Sequence, residues 1–372
     1  MKVRDKDILI PTTIVGNYPN PRWFDNLGSF SNYPYGDLIN DTIEAETFED
    51  AMLALATDQV QAGIDIICDG RLQCVNAYGR ILYYYFERMA NYEPYGPLIG
   101  LPIYSRLRAS TCIGPISRKV PMMVPVARAL KKATDKPIKI QYTGVQVLAQ
   151  CTNDTHYNDQ RKLAMDIAAA YNEDILELDD MGVDYIQIDE FTWPYIIEDW
   201  AIEAFNRAVQ GVKHAKIVCH MCFGNWGGTP GYFPDDTAKA GEVYPIHKRK
   251  GDSPKGAWAV IPKAYEANID ILNIEFGRDR NMDDLAVFKD HPLPDDMDFL
   301  AGVIDVKSTI TETDEEVAAR INKILEYIPA ERLGVTTDCG LILLQRYITT
   351  EKLKALVDGT KLVRDKLAQK AA

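Results

Sequence analysis

A basic excess is the first thing this sequence lacks. Lys and Arg number 41 against 54 Asp and Glu, a formal charge of −13. Nucleic acid and anionic membrane both need a basic face, so neither is expected as a partner. Long apolar runs are missing too. None approaches the length of a membrane span, and the N-terminal MKVRDKDILIP has no signal-peptide core. The cysteines make an odd number, seven, without tandem spacing, which argues against a disulfide framework. No GxGxxG turn follows a strand-like run, and there is no repeat or low-complexity tract. These absences predict a soluble, cytoplasmic protein with reduced thiols, in which a Cys/His cluster points to metal binding or catalysis.

What is present is ample core material. Of 372 residues, 47% are hydrophobic, enough for one large α/β domain or two ordinary ones. Eight apolar runs have strand length: ILIPTTIVG (8–16), GIDIICD (63–69), PIKIQYTG (137–144), VDYIQIDE (183–190), KIVCHMCF (216–223), DILNIEF (270–276), FLAGVID (299–305) and RLGVTTDCG (332–340). Amphipathic stretches with helical periodicity separate most of them, including TFEDAMLALATDQVQAG, RKLAMDIAAAYNEDILELDDMG and TDEEVAARINKILEYIP, and TEKLKALVDGTKLVRDKLAQK follows the last run. Near-continuous apolar strands alternating with helices indicate a helix-covered parallel sheet. Eight such units predict a single (β/α)₈ TIM barrel over residues 1–372, with an open doubly wound sheet as runner-up. Two long βα-loop insertions, approximately 71–136 and 224–258, exceed ordinary loop length. The first carries GRILYYYFERMANYEPYGPL, expected to bury against a partner subunit in a homo-oligomer; the second is Gly- and Pro-rich and is expected to close over the site.

The polar residues fall at the ends of these runs: Asn17, Asp69, Thr143, Asp189 with Glu190, His220 with Cys222, Glu275, Asp305, and Asp338 with Cys339. In such barrels the active site lies at the C-terminal strand ends. Asp and Asn there also start turns or cap helices, a reading that suits Asp305 and Asp338. It suits Glu275 and Cys339 poorly. Within KIVCHMCF, strand alternation sends His220 and Cys222 to one face and Cys219 and Met221 to the other. His220, Cys222, Glu275 and Cys339 then offer N, S, O and S around one rim, a set suited to zinc (Zn²⁺) rather than magnesium or calcium. The competing reading makes Cys339 a small buried hydrophobe and Glu275 a salt-bridge partner.

The combination of HMC, the IEF glutamate, TDCGL, YIQIDE and the N-terminal PTTIVGNYP resembles the catalytic half of cobalamin-independent methionine synthase, in order and spacing along nearly the whole chain. The resemblance implies a (β/α)₈ barrel with a catalytic zinc held by His220, Cys222, Glu275 and Cys339. Two thiolates and a carboxylate make an anionic centre. Metal binding lowers a thiol's pKa, so a bound substrate sulfur is deprotonated at neutral pH. Glu275 is the donor expected to loosen when sulfur arrives, and the implied reaction is S-alkylation of a small thiol.

Departures from the family pattern bear on which thiol. Where the family reads a substrate ammonium with a glutamate, this chain has CDGRLQC and hence Arg71, which repels an ammonium and forks onto an anion. Asn17 stands for a family serine, and Cys151 lies near the place of the aromatic that stacks folate. Coenzyme M, a thiol ending in sulfonate, fits Arg71, and the sequence is similar to the epoxyalkane:coenzyme M transferase branch, whose thiolate opens an epoxide. Ring opening leaves an alkoxide that needs a proton donor; Glu190 and Tyr142 are the catalytic candidates, with Asp189 a further donor. In the alternative reading the chain moves methyl from methyl-folate or a corrinoid protein to homocysteine, and Asp189 holds the substrate's amino group. A reading of another class is a non-catalytic barrel with structural zinc.

Overall fold

A computed structural model of the chain describes residues 1–24, 42–74, 80–94, 96–99, 107–222, 225–226, 229–230, 256–278 and 282–371. Seven of the eight strand-like runs pair as one parallel sheet. Its strands are β1 (Ile67–Cys68), β2 (Ile138–Thr143), β3 (Tyr185–Asp189), β4 (Lys216–Met221), β5 (Ile271–Glu275), β6 (Asp298–Ile304) and β7 (Leu333–Thr337). Each lies beside its successor in sequence, the neighbour-to-neighbour order of repeated βαβ crossovers. Helices carry the crossovers, among them α1 (Val145–Gln150) and α2 (Gln160–Asp180) between β2 and β3, and α3 (Asp314–Ile324) between β6 and β7. Their starts follow from sequence. Asp159 accepts from the Lys162 amide at the head of α2, and Thr313 with Glu316 forms a reciprocal capping box on α3.

The run 8–16 is not a regular strand. Pro11 has no amide hydrogen and Ile10 has φ +50°, so a continuous ladder cannot form there. It still reaches both edges of the sheet. Thr13 N donates to Val335 O at 3.0 Å and Val335 N to Pro11 O at 2.9 Å; on the other side, Asp65 N and Ile66 N, leading into β1, donate to Thr12 O at 3.2 and 3.0 Å.

Strand parity sorts the sheet into two faces. Ile140, Tyr142, Ile186, Ile188, Cys219, Met221, Leu272 and Ile274 are buried in the main core, on the helix side. The opposite, inner face is layered along the strands. Tyr185, Val218, Ile271 and Leu300 form an apolar layer at one end, sealed by Met1 and Val3 from an N-terminal hairpin. Two residues further along each of β4 and β5 stand His220 and Asn273, partners in register. Cys222 and Glu275 follow at the C-terminal ends, where the chemistry was expected.

The aromatic string of the first insertion does not await another subunit. Ile81, Leu82, Tyr84, Tyr85 and Phe86, on the helix Arg80–Arg88, are buried within this chain. Tyr85 donates to Gln141 O at 3.0 Å and packs its ring against Tyr142 and Tyr171. The expectation of a subunit contact is corrected for these residues: the face is apolar because it covers β2. The second insertion, expected to close over the site, lies outside the described residues from 231 to 255. Among the described residues no helix is long and apolar enough to cross a membrane.

Candidate metal centre

His220 is 1% exposed and its ring is fixed from behind. Asn273 Nδ2 donates to Leu300 O at 2.8 Å, which turns Oδ1 toward His220 Nδ1, 2.7 Å away. That oxygen can only accept, so Nδ1 carries the proton and Nε2 presents its lone pair. Nε2 is buried and has no hydrogen-bond partner among the described residues. A buried nitrogen lone pair without a donor is what a metal would satisfy.

Sulfur surrounds it. Cys222 follows His220 by two residues on the same face, and Cys339 comes from the end of β7. Their Sγ atoms are 3.3 Å apart, and the ligand atoms of His220, Cys222 and Cys339 all lie within 4.8 Å of one another. The neighbouring Cys222 sulfur first, and then the closeness of the His220 ring, holds the Cys339 thiol well below the usual thiol range. Three soft-to-borderline donors in one small volume fit a divalent ion of zinc type and not an oxygen-seeking one. Asn273→Ala is expected to weaken metal affinity about 10- to 100-fold with secondary structure intact, measured by chelator competition.

Glu275 stands outside this group. Parity puts it on the inner face as expected, but its Oε1 accepts from Lys307 Nζ at 2.6 Å, and both side chains are fully buried. The salt bridge that the competing reading gave to Glu275 is thus present. Asp338, expected only to start a turn, is buried and accepts from Gly277 N at 2.7 Å; burial first, then the nearby Glu275, raises its pKa well above the carboxylate range. Asn17 lies beside the turn at Gly340, just after Cys339. Its φ of +46° is one that asparagine tolerates, and a Cβ at Gly340 would sit 2.6 Å from Asn17 Cβ.

Arg71 and Asp189 meet. The turn at Gly70 and Arg71 (φ +63° and +53°) swings the guanidinium inward, and Nη2 donates to Asp189 Oδ2 at 2.7 Å and Tyr142 O at 2.9 Å. Arg71 is 3% and Asp189 4% exposed. Asp189 is the register partner of His220, so this ion pair lies one strand from the sulfurs. Arg71 Nε is buried without a hydrogen-bond partner among the described residues.

The two sequence-derived proton donors fall on the other face. Tyr142 is on the helix side of β2 and donates to Asp174 Oδ2 at 2.5 Å; burial holds its pKa well above the ordinary value. Glu190 follows Asp189 and so points oppositely. It lies at the start of α1, accepting from Gln146 N at 3.2 Å, and Gly144 leaves the room its carboxyl needs. Neither side chain is on the inner face with His220 and Cys222. Burial pushes the Glu190 carboxyl up to about 8. The folded chain therefore keeps a proton that the unfolded chain releases above about 4.5. Its contribution to stability is complete below that pH and is lost as pH rises toward 8. Glu190→Gln is expected to flatten this fall, by at most about 1.4 kcal/mol per pH unit, measured by urea unfolding across that range.

Asn273 and Lys307 were missed in the sequence. Asn273 could have been found, since it precedes Glu275 by two residues and therefore shares its face. Lys307 carries no such signal. Cys151, near the expected folate platform, is fully buried at the C-terminal end of α1, and burial alone raises its thiol pKa.

Comparison with known proteins identifies the family. The family profile described as "Cobalamin-independent synthase, Catalytic domain" matches residues 10–228 and 256–362. The chain is 57% identical over 375 residues to a 2-hydroxypropyl-CoM lyase of Xanthobacter autotrophicus strain Py2, covering 99% of each. It is 32% identical over 368 residues to a methionine synthase of Saccharolobus solfataricus, covering 97% of each. Among solved structures, a B12-independent methionine synthase from Shewanella sp. W3-18-1, in complex with selenomethionine, superposes with TM-score 0.79 at 28% identity, covering 97% of this chain and 100% of that one. With its sheet, its His/Cys/Cys cluster and these matches together, the chain is an enzyme belonging to the cobalamin-independent synthase catalytic-domain family.

Proposed function

We propose that this chain is a cytoplasmic, zinc-dependent enzyme that opens an epoxide with the thiolate of coenzyme M. In this reading residues 1–372 form one closed (β/α)₈ barrel, with residues 11–15 as its eighth stave; their hydrogen bonds to β7 and to the approach of β1 support that. His220, Cys222 and Cys339 would hold the zinc, with Glu275 as an exchangeable fourth donor. When bound, zinc supplies Lewis acidity that keeps the substrate sulfur deprotonated at neutral pH.

The observation that carries the choice of thiol is Arg71, a buried guanidinium one strand from His220 with an N–H unspent. A sulfonate is a planar-faced anion that such a fork receives, and Asp189 and the Tyr142 carbonyl orient the fork in advance. Asn17 lines the turn that carries Cys339. The inner-face layer of Tyr185, Val218, Ile271 and Leu300 excludes water from below. In the reaction a C–S bond forms at an epoxide carbon, the C–O bond breaks, and the oxygen takes up one proton. The relative called 2-hydroxypropyl-CoM lyase supports the same substrate class.

A homocysteine methyltransferase is the second reading, favoured by the methionine synthase relatives. It needs Asp189 for an ammonium group, and Asp189 is occupied by Arg71. Incubation of purified, zinc-loaded protein with coenzyme M and epoxypropane should yield the hydroxypropyl thioether by mass spectrometry. Methionine formed from homocysteine with methylcobalamin or methyl-folate, and no thioether, would replace the first reading with the second.

A further inference from the structure

We propose that Lys307 takes up Glu275 when that carboxylate leaves the metal, and so keeps one coordination position open to the incoming sulfur. The inference rests on the zinc reading above. Glu275 ends β5 on the face shared by Asn273, His220 and Cys222, where a fourth donor would come from. Its carboxylate is nevertheless outside the three-donor group and bonded to Lys307 at 2.6 Å, with both side chains fully buried.

The ammonium is held in place by its loop. Lys307 N donates to Asp305 Oδ1 at 2.8 Å, Asp305 Oδ2 accepts from Arg278 Nε at 3.1 Å, and Asp305 N donates to Glu312 Oε1 at 2.7 Å. Glu312 is itself tied to Lys352 at 2.8 Å. Lys307 therefore arrives at Glu275 on a braced segment.

Charge decides what this pair can do. With Glu275 on the ion, His220, Cys222 and Cys339 complete four protein donors, the closed arrangement of a structural site. To leave, Glu275 must go somewhere, and a carboxylate released into a buried site without a cation is strongly disfavoured. Lys307 supplies that cation beforehand. With the pair formed, two thiolates and a divalent ion sum to zero, and one substrate thiolate can join, its proton passing to solvent. A lysine point charge on a flexible stem suits a partner that moves, where an arginine fork would fix it.

Cobalt(II) in place of zinc makes the exchange visible, because thiolate-to-cobalt charge-transfer bands count sulfur ligands. In the wild-type chain, coenzyme M as the probe thiol should raise that band. In Lys307→Met, Glu275 should stay on the ion: cobalt held at least ~10-fold more tightly against a chelator, and probe-thiol affinity at least ~10-fold lower. The double variant Lys307→Met with Glu275→Gln removes both charges of the pair, which keeps the test readable if the single variant fails to fold, and should again take up the probe thiol. Wild-type metal and thiol affinities in Lys307→Met, or a double variant that still fails to take up thiol, would overturn the role of Lys307. A wild-type cobalt protein that gains no sulfur band with any thiol would instead overturn the zinc reading itself.

Discussion

Replacing Cys222 and Cys339 together by serine should abolish turnover, with a fall in kcat/KM of at least ~10³-fold and loss of stoichiometric zinc. The two Sγ atoms, 3.3 Å apart, are the soft donors of the cluster, and a neutral hydroxyl replaces neither their charge nor their affinity for zinc. His220 Nε2 alone would not retain the ion. Elemental analysis and thioether formation measure the two losses separately, and circular dichroism checks that the sheet is kept. Full zinc content together with unimpaired turnover in the double variant would remove these sulfurs from the mechanism.

Arg71→Ala should raise the KM for coenzyme M about 100-fold while leaving zinc content unchanged, the scale of one charge-assisted hydrogen bond lost from a buried site. Its effect on folding has to be separated, because the change strands the buried Asp189 carboxylate. Arg71→Ala combined with Asp189→Asn removes that complication; if Arg71 reads the sulfonate, the double variant keeps the raised KM while thermal stability recovers. A KM that recovers together with stability would mean the guanidinium only neutralises Asp189. Steady-state kinetics at saturating epoxide distinguishes the outcomes.

The strands were legible because burial on both faces writes a continuous apolar run, and seven of the eight runs pair as read. The run 8–16 looked the same, but Pro11 and the left-handed Ile10 prevent a ladder. Parity also made His220 and Cys222 legible as neighbours facing away from Cys219 and Met221. The same rule, applied one residue further, would have removed Glu190 and Tyr142: both alternate away from the inner face, to the start of α1 and to Asp174. The Lys307–Glu275 pair could not be read. It joins the end of β5 to the loop after β6, whose path depends on Asp305, Arg278 and Glu312, and no local spacing records that. Arg71 was read as a fork for an anion, and its protein partner Asp189, 118 residues away, could not be named from spacing.

The layering of the inner face has an evolutionary consequence. Tyr185, Val218, Ile271 and Leu300 interlock with Met1 and Val3 one layer below His220 and Asn273, so changes there act first on folding. The tips of the same strands carry Asp189, His220 and Cys222, where exchanges can change chemistry without rebuilding the scaffold. Relatives bearing different names on one architecture are the expected outcome of such a division of labour.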